Sequence, residues 1–354
     1  MRYYFIAGAL LVLIVVLCVC YYVSRPAATA VPGLDYTKAA VPRHVTALKH
    51  QDPAERKRAA QALWQIGVYA KEATPALLAG TKDPNPEVRA AVAQTLGRTS
   101  QGTQDAVPAL VQALHDPSAD VRAAAAKSLA EIWVGASVPV LMAERGGTNS
   151  ESPKRRPGQG DPAFIAAAQS AIPALTAALQ DADARIRTHA AEALAVTGPL
   201  AQSAVDALLP LLKDADDNAR LQATLALEGI GPGAKSAVRQ LAANLREDKI
   251  VGIRVNSASA LGRIHGNAEV AVPALLHAAL NDPEPDVRTW AMMGLDAFGP
   301  EAKSAIPAIR QAAGEAKFGD DPRRQWALTQ LAERLECKSP PPNPERQSGP
   351  PTGR

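Results

Sequence analysis

Residues 229–236 read GIGPGAKS, one residue short of a nucleotide P-loop, with Ala234 where a glycine should precede Lys235. A P-loop also needs a strand ahead of it, to aim backbone N–H groups at the phosphates. Here the preceding residues carry a helical pattern. GVYAKEA (67–73), GPLAQSA (198–204) and GPEAKSA (299–305) are variants of the same stretch, so it reads as a recurring turn and the nucleotide reading is rejected. The six histidines, His44, His50, His115, His189, His265 and His277, are scattered through different positions of the pattern and do not converge on one metal. Cys18 and Cys20 sit in an apolar run and Cys337 at the edge of a polar tail, which is neither a disulfide framework nor a zinc spacing. No Ser-His-Asp or Cys-His arrangement stands out, so the expectation is a non-enzyme with no cofactor and no metal. A net charge of +3 does not argue for nucleic acid. Lys154, Arg155 and Arg156, within GGTNSESPKRRPGQGDP (146–162), are candidates for capturing an acidic partner segment.

What positions these residues is an internal repeat. DPNPEVRAAVAQTLG (83–97) recurs as DPSADVRAAAAKSLA (116–130), DADARIRTHAAEALA (181–195), DADDNARLQATLALE (214–228), DKIVGIRVNSASALG (248–262) and DPEPDVRTWAMMGLD (282–296). One arginine recurs in each copy, with looser copies at both ends: Arg56, Arg89, Arg122, Arg187, Arg220, Arg254, Arg288 and Arg324. The gaps are 33, 33, 65, 33, 34, 34 and 36 residues. Ahead of each arginine stands a second motif, as in ATPALL (73–78) and AVPALV (106–111).

Each period therefore reads as two helices. Helix A opens with proline in its first turn, where the missing N–H costs nothing. Asp, often Asp-Pro, fits an N-cap and N1 of helix B, and Gly67, Gly231 and Gly299 fit its end. Apolar residues fall at −1, +3, +4 and +7 from the arginine, one helical face. The arginine lies within that face, and a guanidinium there must be paired. The aspartate six positions earlier supplies a carboxylate per repeat. A structural ladder between stacked repeats is expected, drawn from Asp83, Arg89, Asp116, Arg122, Asp181, Arg187, Asp214, Arg220, Asp248, Arg254, Asp282 and Arg288.

D-P-x-x-x-V-R-x-x-A-A-x-x-L-G, with A-x-P-A-L ahead of it, resembles the HEAT repeat, in a short variety similar to that of phycobilisome lyases. The resemblance covers about residues 40–335 and recurs eight times. It implies a right-handed all-α solenoid of about eight hairpins, acting as a binding scaffold. A chromophore lyase or other cofactor-handling enzyme on the same repeats is the alternative. Some HEAT-like proteins resemble deoxyhypusine hydroxylase and hold iron on His-Glu dipeptides, but no histidine here is followed by Glu.

Helix B positions +2, +5 and +9 point away from the core and line the inner curve of such a solenoid. That stripe includes Lys127 with Glu131, and His189 with Glu192. It ends in Trp290, Met293 and Trp326, an expected apolar anchor for a protein or peptide partner. The 65-residue gap is close to two periods, so residues 145–161 are expected to be a loop replacing most of one helix in a ninth, degenerate repeat, leaving a notch.

Residues 5–23, FIAGALLVLIVVLCVCYYV, carry no charge and no proline. That is close to the ~20 residues of a bilayer span, and Tyr3, Tyr4, Tyr21 and Tyr22 bracket it. The expectation is a single N-terminal transmembrane helix (residues 1–23). Cleavage at Ala28-Thr29-Ala30 is the alternative, and the extracytoplasmic side is slightly favoured. Residues 24–39 read as a linker, 40–335 as the solenoid, and 336–354 as a disordered proline-rich tail.

Overall fold

The structure, a computed structural model, describes residues 36–101, 103–143, 162–314 and 322–337. These form sixteen α-helices, paired in order as eight A–B hairpins, and no strand occurs among the described residues. The A helices are α1 (Val41–Ala47), α3 (Thr74–Gly80), α5 (Val107–Ala113), α7 (Pro162–Ala178), α9 (Val205–Leu208), α11 (Val238–Glu247), α13 (Ala268–Asn281) and α15 (Ile306–Gly314). The B helices are α2 (Pro53–Ile66), α4 (Pro86–Thr99), α6 (Ala119–Ala143), α8 (Ala184–Thr197), α10 (Asp217–Ile230), α12 (Val251–Ile264), α14 (Pro285–Phe298) and α16 (Pro322–Cys337).

The hairpins are set by local chemistry. Asp52, Asn85, Asp183 and Asp216 cap B helices by accepting from the backbone N–H of the second or third helical residue. Among the described B-helix caps, the Asp-Pro pair expected at N-cap and N1 stands there at Asp52–Pro53 alone. Elsewhere the motif aspartate stands two residues before the cap, where Asp83 and Asp181 accept from the N–H two residues on. Gly231 ends α10 at φ 70°, a left-handed conformation that costs glycine little, and a 3-10 turn (Gly231–Ala237) leads into α11. Pro42, Pro75 and Pro108 enter at the starts of α1, α3 and α5. Pro173 and Pro273 fall inside α7 and α13, because those A helices extend further toward their N-termini.

One core runs through the whole stack, from Val41 to Leu335. Successive B helices pack more extensively against each other than successive A helices do. Small side chains make this approach possible. The residue six positions after each repeat arginine is Ala62, Thr95, Ser128, Ala193, Ala226, Ala260 and Gly294 in turn. Thr95 Oγ1 donates to Ala60 O and Ser128 Oγ to Ala93 O, both at 2.9 Å, each bond reaching the preceding B helix. α16 starts two residues before Arg324, not three as in α2, α4 and α14, and its buried face is Leu328, Leu331, Ala332 and Leu335, so Leu331 stands where Gly294 stands in α14; α16 touches α14 far less than any other successive B pair.

Two expectations are corrected. No repeat slot and no notch separate Arg122 from Arg187. α6 is one continuous 25-residue helix, and α8 packs directly on it. α7 serves as the intervening A helix, with Trp133 of α6 edge-on to Phe164 of α7 at 6.3 Å. Part of the surplus over one period lengthens α6 and α7, and among the described residues no degenerate ninth repeat stands between α6 and α8. Lys154, Arg155 and Arg156 lie outside the described residues. The single-pass membrane placement is also corrected: among the described residues no helix is long and apolar enough to cross a membrane. The span expected over residues 5–23 lies outside them, as do the linker up to residue 35 and the tail from residue 338.

Candidate functional site

The B-helix face is built on a lattice of arginines. Arg89 Nε and Nη2 donate to the two oxygens of Asp116 in the next repeat, at 2.7 and 2.9 Å. Its Nη1 donates to Asp83 O and Pro84 O in its own loop. The same fork joins Arg56 to Asp83, Arg122 to Asp181, Arg187 to Asp214, Arg220 to Asp248 and Arg254 to Asp282. The aspartate six residues earlier thus gives its carbonyl to its own repeat and its carboxylate to the previous one. Hydrogen bonds from the arginines hold the Asp83, Asp181 and Asp214 carboxyls below their ordinary range. At Asp116 burial is the largest influence and pushes upward, but the bond from Arg89, the Ser118 N–H and the charges of Arg89 and Arg122 together outweigh it and hold the carboxyl low. Arg288 donates to Asp282 O and Pro283 O; the aspartate that would follow it, Asp321, lies outside the described residues. Arg324 of the last repeat donates instead to Leu280 O at the end of α13.

Charged side chains gather in the middle of the face. Lys127 Nζ lies 3.7 Å from Glu131 Oε1 on α6, and His189 Nδ1 lies 3.1 Å from Glu192 Oε2 on α8. Burial pushes the Glu131 carboxyl up; Lys127 opposes this, Glu192 adds to it, and Arg98 and His189 oppose it. Beside this group is a cavity of about 210 Å³ between α4, α6 and α8, lined by Gln94, Asp120, Lys127, Arg185 and His189 among others. The Arg98 guanidinium covers the Trp64 ring at 4.4 Å. Further along, Ser259 Oγ donates to Glu228 Oε1 at 2.9 Å, with Arg263 Nη1 at 3.8 Å from the same oxygen. Reasoning from sequence had Lys127, Glu131, His189 and Glu192 on the stripe but not as a group, because an imagined repeat stood between the two pairs. The Asp181–Arg122 spacing was the signal that could have joined them. Among the described residues no three His, Cys, Asp or Glu side chains are grouped to hold a metal ion.

At the C-terminal end the face turns apolar. Trp290 is half-buried and packs on the core, Met293 is 36% exposed and Trp326 is 49% exposed. Trp290 and Met293 stand on α14 and Trp326 on α16, the two B helices that touch least. An ion pair from Arg334 Nε to Asp296 Oδ2, at 3.4 Å, ties these helices near their C-terminal ends.

Eight stacked hairpins with a continuous core and an ordered inner face define an α-solenoid of the kind built from tandem helical repeats. The family described as HEAT repeats matches residues 41–130, 165–228, 205–296 and 238–332. The chain belongs to the HEAT-repeat family. Among solved structures it is similar to YIBA of E. coli, with 18% identity and a TM-score of 0.51 over 84% of this chain and 92% of that one. An engineered protein gives 22% identity and a TM-score of 0.48 over 84% and 89%. The complex of CpcE and CpcF of phycocyanin lyase from Nostoc sp. PCC7120 gives 20% identity and a TM-score of 0.42 over 86% and 97%. No curated protein matches the chain.

Proposed function

We propose that this protein is a non-catalytic interaction scaffold that takes a segment of a protein partner on the B-helix face. Trp290, Met293 and Trp326 anchor that segment. The observation that carries this reading is a tryptophan on each of the last two B helices, α14 and α16, of which Trp326 is exposed, with the exposed Met293 on α14. Tryptophans dominate binding energy where they line a desolvated pocket. The ion-paired middle of the face supplies a polar surround with its charges already matched. The test is direct. A partner captured by proximity labelling is purified, and its affinity is measured for the wild type and for Trp290→Ala/Trp326→Ala. A loss of about 2 kcal/mol or more is expected. Unchanged affinity, with helicity and thermal midpoint also unchanged, sinks the reading.

A second reading, a cofactor-handling enzyme or chromophore-lyase-like protein on the same repeats, is favoured by the raised carboxyl of Glu131 near Lys127, His189 and an open cavity. Native mass spectrometry of protein purified from its own cells separates the two. A small molecule that co-purifies with the wild type and is lost in Lys127→Ala supports this second reading, and a bare mass opposes it.

A further inference from the structure

Five positions after each repeat arginine, one residue per repeat forms a row along the B face, and Lys127 is the single cation in it, between Gln94 on α4 and Glu192 on α8. Lys127 Nζ lies 3.7 Å from Glu131 Oε1, too far for a hydrogen bond, and no hydrogen bond among the described residues engages that ammonium. Its side chain is 27% exposed, so part of its hydration is stripped with no acceptor in return. The other polar groups lining the cavity between α4, α6 and α8 are unbalanced in the same sense. His189 commits Nδ1 to Glu192, which leaves Nε2 open, and the Gln94 amide has no hydrogen bond among the described residues. The one carboxylate in the lining, Asp120, already accepts from Arg185 Nη2 at 3.0 Å.

Three successive B helices thus bring unmatched donors to one space. Ala90 on α4 and Ala123 and Ala124 on α6 make the room for it. At about 210 Å³ it is smaller than the roughly 300–1,000 Å³ of small-molecule sites and suits a single side chain. Glu131 is the counter-charge that an entering group would replace. The charged groups facing it are Lys127 on its own helix, Arg98 on α4, and Glu192 and His189 on α8. Burial drives its carboxyl toward the neutral form, which loosens its hold on Lys127. We propose that this cavity takes an aspartate or glutamate side chain of the bound partner segment, with Lys127 as its counter-ion and Gln94 as a neutral donor. The proposal rests on the scaffold reading for the segment that carries the carboxylate; the cavity's preference for that charge is tested without the partner.

The probe is N-acetyl-glutamate N-methylamide, titrated into the full chain and followed by the histidine-ring NMR signals, with His189→Gln to assign His189. The His189 signal should move saturably. N-acetyl-glutamine N-methylamide, of similar size without the charge, should bind at least about tenfold more weakly. Lys127→Met should lose the glutamate probe by a similar factor at an unchanged thermal midpoint, and Glu131→Gln, which frees Lys127, should bind it more tightly than the wild type. No saturable shift, equal affinity for the two probes, or equal affinity in wild type and Lys127→Met overturns the proposal. Free glutarate that binds more tightly than the glutamate probe also overturns it, and assigns the cavity to a small dicarboxylate. If the probes bind alike while partner affinity still depends on Trp290 and Trp326, the carboxylate site fails and the scaffold reading stands. Probe discrimination, with partner affinity dependent on Lys127 but not on the tryptophans, upholds the site and removes the apolar anchor.

Discussion

Arg122 Nε donates to Asp181 Oδ2 at 2.7 Å across 59 residues of chain, where the other rungs span 27 or 28. One bond decides how the middle of the solenoid is built. The repeats on either side are immediate neighbours, with α6 and α8 packed directly on each other. The rung has the same fork as the others, with Nη1 on the carbonyls of Asp116 and Pro117. The ladder therefore keeps one geometry from Arg122 to Asp181 as it does at the other rungs.

Deleting residues 146–160 should leave the fold standing. Helicity per residue and a single cooperative unfolding transition should both survive. A double-mutant cycle of Arg122→Ala and Asp181→Ala should give a coupling of about 1.5 kcal/mol in the full chain and in the deletion alike. Loss of helicity, or a coupling that vanishes on deletion, would show that the insertion holds the repeats together.

Acid should loosen the ladder. Asp83, Asp116, Asp181 and Asp214 titrate lower in the folded chain than in the unfolded one. A carboxyl with a depressed folded pKa contributes stability that is fully present above the unfolded value, about 3.9 for Asp. That contribution is lost as pH falls through the folded value. Urea midpoints attributable to the ladder should hold from pH 7 to about 5 and fall below about 4. Arg187→Met/Asp214→Leu, which replaces one rung with apolar side chains, should show a shallower acid loss than the wild type. An equal slope in both chains would remove the ladder from acid unfolding.

The two-helix period, the proline entries and the glycine ends were legible because each is a local backbone requirement repeated many times. The periodic Asp and Arg were legible for the same reason, six residues apart in every regular copy. Length was the misleading quantity. The surplus between Arg122 and Arg187 nearly equals one period, and counting cannot tell a repeat from a longer α6, a connection and a longer α7. Only the pairing of Arg122 with Asp181 separates these. The cluster around Glu131 was hidden by the same error, since its members become neighbours only when α6 and α8 stack directly. The small residues at the +6 position were in plain view as alanine-rich sequence. Their role is visible only across the helix interface.

Glu131 should weaken the fold at neutral pH. Burial raises its carboxyl, so the folded chain holds that proton more tightly than the unfolded chain does. Stability contributed by such a group rises as pH falls through the folded value and levels off below the unfolded one, about 4.3 for Glu. Glu131→Gln should accordingly raise the urea midpoint at pH 7, and its advantage should shrink as pH approaches 4. An advantage that stays constant with pH would assign the effect to packing alone.

Gly97→Ala tests whether close approach of the B helices holds the stack. Alanine is favoured over glycine in a helix interior by about 1 kcal/mol, so an open site would be stabilised. At Gly97 a Cβ would stand 2.6 Å from Ser128 Cβ and 2.8 Å from Ser128 Cα, on the neighbouring helix α6. A backbone atom cannot rotate aside, so α4 and α6 must separate. The bond from Ser128 Oγ to Ala93 O is strained or broken with them. The net result should be a loss of about 2 kcal/mol in unfolding free energy, measured by urea denaturation. Gly252→Ala, whose Cβ would meet nothing within 4 Å, is the control and should not be destabilising. Equal behaviour of the two variants would mean that the B helices are free to move apart at no cost.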